Sequence, residues 1–399
     1  MIKRIFFIIS TVGFLFSALA EPSKMYYKRA QDAENPEDKI KFYTMTLKMN
    51  PQFSAALFER AQTYFEMNKL EETENDIRLY LEKFPPSPEV HVLKGRIAQR
   101  LGDLDTADEE YDNAIKITPA HDEANFRKGL LLVLQAKLKQ HPEYYHKAIP
   151  YLLTVQQRSP YAISSFSQAA KCYEIESKYD EAQKLYVNLS SQEPDNALFA
   201  FNAGRLYYMN GDNETAIKYL NSACELTFKD QSFEIYYAVF RYFFTIYKLR
   251  DLTSANYQLN RFLDKLPPTP LAELFQNKIT GEEFLKKASQ KKDSKMPEQL
   301  EKILACEAHS ALGYYYLLKD KNDEAISCFK NAIIHELYGL PYYHLAKFEF
   351  QRLSLLKEIN AMEFNDKETE LPDIPLEQSE AENTMATEAP PAAHSDEKE

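Results

Sequence analysis

Side chains that could support metal or nucleophilic chemistry are sparse in this chain of 399 residues. His141 and His146 lie five residues apart and supply two imidazoles, fewer than the three or four ligands of a zinc site. The patterns G-x-S-x-G and H-E-x-x-H are absent. Phosphate-binding loops need closely spaced glycines, whereas the nearest glycines here, such as Gly95 and Gly102, lie seven residues apart. We therefore expect no metal, no cofactor and no enzymatic activity.

The four cysteines, Cys172, Cys224, Cys306 and Cys328, form no C-x-x-C pair. If Cys306 opens one helix and Cys328 lies midway along its antiparallel neighbour, the two are separated by roughly 10 Å, too far for a disulfide. Buried free thiols are therefore expected. Adjacent carboxylates such as Glu109 and Glu110 have Lys and Arg nearby and are predicted to face solvent rather than to act as acid and base.

The first twenty residues, MIKRIFFIISTVGFLFSALA, have the features of a secretory signal peptide. Lys3 and Arg4 precede an apolar run, and Ala18 and Ala20 supply the small residues of a cleavage site before Glu21. Residues 1–20 therefore predict export by the Sec route, with a mature protein in the periplasm or outside the cell. An uncleaved anchor is the alternative, although no later segment is apolar enough to enter a membrane.

Most of the net charge of −12 belongs to the C-terminal tail. Residues 361–399 contain twelve acids and two lysines, a net of −10, and few apolar residues. Such a composition predicts an acidic disordered tail, because it cannot bury enough apolar surface to fold. The remaining body has no basic excess, so nucleic acid is not an expected partner.

Small residues recur at a fixed interval along the chain. Ala61, Gly95 and Gly129 are equally spaced, and Ala170 and Gly204 repeat that spacing. The segments LKGRIAQRLGDLDTADEEYDNAIKITP, AAKCYEIESKYDEAQKLYVNLSSQEP and NAGRLYYMNGDNETAIKYLNSACEL carry it most clearly. This pattern resembles the tetratricopeptide repeat (TPR), a helix pair of about 34 residues. The resemblance covers most of residues 25–357, and its closing part resembles bacterial periplasmic TPR adaptor proteins.

The resemblance implies an all-α fold: a right-handed TPR superhelix, or α-solenoid, of about eight helix pairs with a C-terminal capping helix. Residues 135–147 are predicted to lengthen the turn of the third full unit, and 268–300 form an irregular insert. The solenoid as a whole is predicted to span 21–360. Its units are expected near 25–51, 54–87, 88–121, 122–162, 163–196, 197–230, 236–269 and 306–339, with the cap at 340–358.

In the TPR family the first helices line a concave wall that receives protein segments. Aromatic side chains and arginine dominate binding surfaces, and the wall predicted here is rich in aromatic residues and includes Arg205. The resemblance thus implies a non-catalytic scaffold or adaptor of the cell envelope, with a secretory-pathway chaperone as the alternative and a homo-oligomer left open. Whether the rings face an open groove or pack against neighbouring units is also open. The candidate partner-binding residues are Phe126, Lys171, Phe201, Arg205, Tyr208, Tyr237, Phe240, Phe244 and Tyr247.

Overall fold

The structure, a computed structural model, describes residues 22–229, 269–290, 297–337 and 340–368, with the single positions 251, 253 and 257. Every regular element within these residues is an α-helix, as predicted. Two compact units are separated after Gln351, and residues 352–368 continue the last helix in the second unit. The helices are α1 (22–32), α2 (Pro36–Met49), α3 (Ser54–Glu66), α4 (Leu70–Leu81), α5 (Pro88–Leu101), α6 (Leu104–Ile117), α7 (Asp122–Lys139), α8 (Glu143–Thr154), α9 (Ala162–Ile175), α10 (Tyr179–Gln192), α11 (Ala197–Met209), α12 (Asn213–Lys229), α13 (Pro270–Phe275), α14 (Gly281–Gln290), α15 (Glu298–Leu317), α16 (Asn322–Ile333) and α17 (Pro341–Glu368).

Local sequence signals set the ends of a typical pair, α5 and α6. Ser87 caps α5 by accepting a hydrogen bond from the backbone N–H of Val90, and Pro88 occupies its first turn. Gly102 ends the helix in the left-handed conformation with a φ of 82°, which glycine adopts without a Cβ clash. Asp103 then caps α6 through the N–H of Thr106. A two-residue turn therefore reverses the chain.

The recurring small residues lie where the two helices of a pair meet. A Cβ added to Gly95 would lie 2.5 Å from the Tyr111 ring, so only glycine lets α6 approach this closely. The predicted role of these positions in helix packing is confirmed. The same arrangement pairs Gly129 with Leu152, Gly204 with Leu220 and Gly313 with Phe329.

Consecutive pairs stack on one another through their helices in chain order. Each of α3, α7, α9 and α11 packs against the helix before it and the helix after it, and α5 packs against α6. First helices also contact the next first helix from α3 through α5 and α7 to α9. This repeated contact is the packing expected of a series of helix pairs, each of which buries its apolar face against a neighbour.

Residues 135–147 differ from the prediction of a longer turn. Helix α7 continues to Lys139, and α8 begins at Glu143. Between them Gln140 adopts a positive φ of 51° and ends α7. The added residues mostly lengthen α7, because QAKLK contains strong helix formers and no breaker before Pro142.

The predicted irregular insert at 268–300 contains helices in its described part. Leu274, Phe275 and Phe284 of α13 and α14 are buried in one cluster with Ala308 and Leu312 of α15. Helix α15 begins at Glu298, earlier than the predicted start of this unit near 306, since nothing in EQLEKILA breaks the helix after Pro297.

Helix α17 also extends beyond the predicted cap at 340–358 and into the first part of the predicted tail, ending at Glu368. Residues 1–20, 369–399 and most of the unit expected at 236–269 lie outside the described residues. All four cysteines are buried free thiols, as expected. Within the part of the chain that the structure describes, none of the helices is both long and apolar enough to cross a bilayer.

Candidate protein-binding wall

Ion pairs join the two helices of the early units. Arg60 binds Asp76 through both of its fork nitrogens, with Nε and Nη2 2.7 and 2.6 Å from the carboxylate oxygens. One repeat later Lys94 donates to Glu110, whose other oxygen lies 2.6 Å from His91 Nδ1. Glu110 is therefore buried between the helices, and the expectation that it faces solvent is wrong. Glu110 follows Asp76 by one repeat, so the two acids occupy equivalent positions that both face the first helix of their pair.

One equivalent position in the first helices differs in solvent exposure between the early repeats and the later one. The residues that follow the small residue in successive first helices are Gln62, Arg96, Leu130, Lys171 and Arg205. They recur once per repeat, with a longer step between Leu130 and Lys171 where α7 is extended. The first four are partly exposed, whereas Arg205 is 1% exposed. The wall is therefore covered at Arg205 and partly open at the four equivalent positions of α3 to α9.

The first part of α17 packs against α11 next to Arg205. The Tyr342 ring lies 6.2 Å from that of Phe201, and the Phe348 ring lies edge-on to Tyr208 at 5.9 Å. The Tyr208 hydroxyl also donates to Glu349, a carboxylate with no solvent exposure. We call the surface formed by Glu174, Tyr179, Phe201, Arg205 and Tyr208 the α9–α11 wall. This wall holds residues 341–351 of the same chain.

A buried ion pair forms the centre of the α9–α11 wall. Arg205 Nη2 lies 2.6 and 2.7 Å from the two carboxylate oxygens of Glu174, which is 3% exposed. Arg205 Nε donates to Asn202 Oδ1 at 2.8 Å. His344 of α17 brings Nε2 to 3.6 Å from Glu174 Oε2. The acid of α9 thus contacts the cation of α11 and the imidazole of α17.

The turn after α9 adds two further contacts to α17. Lys347 Nζ lies 3.4 Å from Ser177 Oγ. The Tyr179 ring, at the start of α10, meets His344 edge-on at 6.2 Å. Helix α17 is therefore contacted by the turn between α9 and α10 as well as by α11.

Three of the predicted partner-binding residues, Phe201, Arg205 and Tyr208, therefore lie together on a wall that α17 covers, and they are buried from solvent. Their use by a partner stays a prediction. The residues that complete this site, Glu174 and Glu349, were not expected from the sequence. The only sequence signals for them are an acid at a wall position, Glu174, and an acid between two phenylalanines, Glu349.

The other predicted residues occupy different surroundings. Phe126 is buried and stacks on Tyr161, with ring centroids 5.2 Å apart. Lys171 is partly exposed, and burial together with the nearby Lys137 lowers the pKa of its ammonium group. The predicted residues that lie outside the described residues are Tyr237, Phe240, Phe244 and Tyr247.

Earlier first helices carry the corresponding surface without α17. Arg96 and Arg100 lie over the Phe65 ring, with guanidinium carbons 4.6 and 3.8 Å from its centroid. Arg96 and Arg127 also flank Glu123 at 3.7 and 3.2 Å. We call the partly exposed surface at Gln62, Arg96 and Leu130 the α3–α7 wall.

Comparison with known proteins identifies the repeats. Residues 88–121 and 176–229 each match a family described as Tetratricopeptide repeat. A TPR repeat-containing protein of Methanocaldococcus jannaschii is 28% identical over 123 residues, covering 28% of this chain. The chain spans 22% of the length of that relative.

Three solved structures are similar to parts of this chain at low sequence identity. The C-terminal part of a Cytophaga hutchinsonii TPR protein is 14% identical, with a TM-score of 0.45, over 61% of this chain and 95% of that one. PilF of Pseudomonas aeruginosa is 18% identical, with a TM-score of 0.40, over 57% and 97%. YrrB, described as having an unusual peptide-binding site, is 21% identical, with a TM-score of 0.37, over 46% and 91%. The family matches therefore identify residues 88–121 and 176–229 as tetratricopeptide repeats, and both ranges lie within the series of stacked helix pairs.

Proposed function

We propose that this chain is a non-catalytic scaffold that holds protein segments on the surface of its first helices, after export by the Sec route to the periplasm or beyond. One observation carries the proposal. The α9–α11 wall already holds a helix, through ring contacts, a buried ion pair and a hydroxyl–carboxylate hydrogen bond. Aromatic and arginine side chains of this kind dominate protein-binding surfaces, because they bury large areas and keep a polar group.

The α3–α7 wall is the surface that we propose a partner meets first. Its side chains at Gln62, Arg96 and Leu130 are partly exposed. Two guanidinium groups, those of Arg96 and Arg127, share the single carboxylate of Glu123, so these three groups together carry a charge of +1. A partner segment with an acidic side chain beside apolar ones fits this chemistry.

Site-specific photocrosslinking tests the proposal. A photoreactive amino acid replaces Gln62 or Leu130 of the α3–α7 wall, and the matched control replaces the exposed Glu109 of α6. We expect the first two sites to crosslink the same protein in cells, and the control site not to do so. Equal crosslinking from all three sites would refute binding at the wall. Many different crosslinked proteins would favour a holding chaperone, and one or two would favour an adaptor.

Export is tested separately at the N-terminus. The mature protein is expected to begin at Glu21, as read by mass spectrometry of its first peptide. Replacing Ala18 and Ala20 with arginine should block cleavage and leave the precursor in the membrane fraction. A wild-type protein that keeps Met1 and sediments with membranes would support the anchor instead.

A further inference from the structure

Residues 341–351 contact the α9–α11 wall through buried polar groups as well as apolar ones. Glu349 is fully buried and accepts a hydrogen bond from Tyr208, and His344 approaches the Glu174–Arg205 ion pair. Buried polar groups cost stability unless they find partners, so these contacts require matched chemistry on both surfaces. The wall therefore supplies a hydroxyl donor for a carboxylate and a carboxylate for an imidazole.

The contacts of this segment extend around the helix. Tyr342 and Glu349 are seven residues apart and share one side, whereas His344 and Phe348 are four apart and share another. On α11, Phe201 contacts Tyr342, and Tyr208 contacts both Phe348 and Glu349. Glu174, at the end of α9, contacts His344. The segment thus lies in a trough between α9 and α11, as a bound helix does in a groove.

The wall itself is assembled by contacts between neighbours in sequence. Helix α9 packs on α10, α10 on α11 and α11 on α12. By contrast, Tyr208 and Glu349 are separated by 141 residues, and Ser177 and Lys347 by 170. The contacts that form the trough are therefore local in sequence, whereas those that fill it come from a distant segment.

We propose that residues 341–351 are an intramolecular ligand that closes the α9–α11 wall, and that a partner helix enters when this segment leaves. The partner is an amphipathic helix with aromatic rings, an imidazole and a carboxylate spaced like Tyr342, His344, Phe348 and Glu349. That identification rests on the proposed function, whereas the occupancy by the chain's own helix does not. A tethered ligand acts at an effective concentration of about 1 mM, so a free helix of similar affinity competes poorly.

Competition with the chain's own sequence tests this. A fluorescent peptide of residues 340–358 (LPYYHLAKFEFQRLSLLKE) is titrated with the full mature chain and its anisotropy recorded. Glu349→Lys weakens the internal helix and leaves the wall intact. We expect this variant to bind the peptide at least tenfold more tightly than wild type. The control Gln351→Lys, at an exposed position of the same helix, should match wild type. Equal binding by wild type and folded Glu349→Lys would overturn the proposal.

Two further measurements keep the test decisive. Adding Tyr208→Phe to Glu349→Lys should reduce peptide binding about tenfold, because the wall loses its donor to a charged acceptor; unchanged binding would place the peptide elsewhere and also overturn the proposal. If Glu349→Lys does not fold, Ser177→Cys with Lys347→Cys in the otherwise wild-type chain takes its place. Saturating peptide should lower the yield of a short bis-maleimide crosslink between them, and an unchanged yield counts against displacement. None of these outcomes affects crosslinking from Gln62, which tests the proposed function separately.

Discussion

The Glu174–Arg205 pair provides a quantitative test of how burial sets the strength of an ion pair. Glu174→Gln keeps the shape of the side chain and removes its charge, which leaves the Arg205 guanidinium buried without its counter-ion. Breaking a buried pair in this way costs about 3–5 kcal/mol. The matched control is Glu82→Gln, which breaks an exposed Arg78–Glu82 pair with a similar N···O distance of 2.7 Å. Those two side chains are 63% and 52% exposed, so a loss of about 0–1 kcal/mol is expected.

Urea denaturation followed by circular dichroism measures both variants. Because stacked repeats do not always unfold in one step, hydrogen exchange of α9 and α11 amides supplies the local value. The double variant Glu174→Leu with Arg205→Met should recover most of the loss, since it removes both charges and keeps apolar volume. A Glu174→Gln variant no less stable than Glu82→Gln would refute the argument from burial. A double variant as unstable as the single one would show that the charge is not the cause.

Packing and titration predict the effects of two other substitutions and the reactivity of the native cysteines. Gly95→Ala should destabilise the protein by about 1–3 kcal/mol in urea denaturation, because its Cβ overlaps Tyr111, and an unchanged midpoint would contradict that contact. The native cysteines should not react with Ellman's reagent at pH 8, whereas urea should expose four thiols, because they are buried and burial raises the pKa of Cys172 to about 12. Lys171→Met should raise the melting temperature at pH 7, because burial lowers the pKa of the lysine and so disfavours its charged form. That gain should shrink toward pH 10, since the native lysine releases its proton before the unfolded one does; a constant gain would point to packing instead.

The sequence predicts contacts that repeat and misses those that do not. Gly95 meets Tyr111 of the paired helix in the same unit, and the repeat reproduces that contact along the chain. The sequence identifies residues 135–147 as an irregularity in the repeat. Their high helix propensity makes most of the added residues extend α7 rather than lengthen the turn. The contact between Tyr208 and Glu349 occurs once and spans 141 residues, so periodicity carries no information about it.

The aromatic wall shows why residue type alone does not identify an open binding surface. A Tyr or Arg on a first helix has the same chemistry whether a segment of its own chain or another protein packs against it. The residue type therefore does not reveal which of the two is in contact. Here position 205 is buried and the equivalent positions 62, 96, 130 and 171 are partly exposed. Loss of partner capture on replacing Tyr208 would therefore have two causes, a lost partner contact and a displaced α17. Replacing Gln62 changes the equivalent surface without touching α17, so a comparison of the two substitutions separates binding at an open wall from release of a closed one.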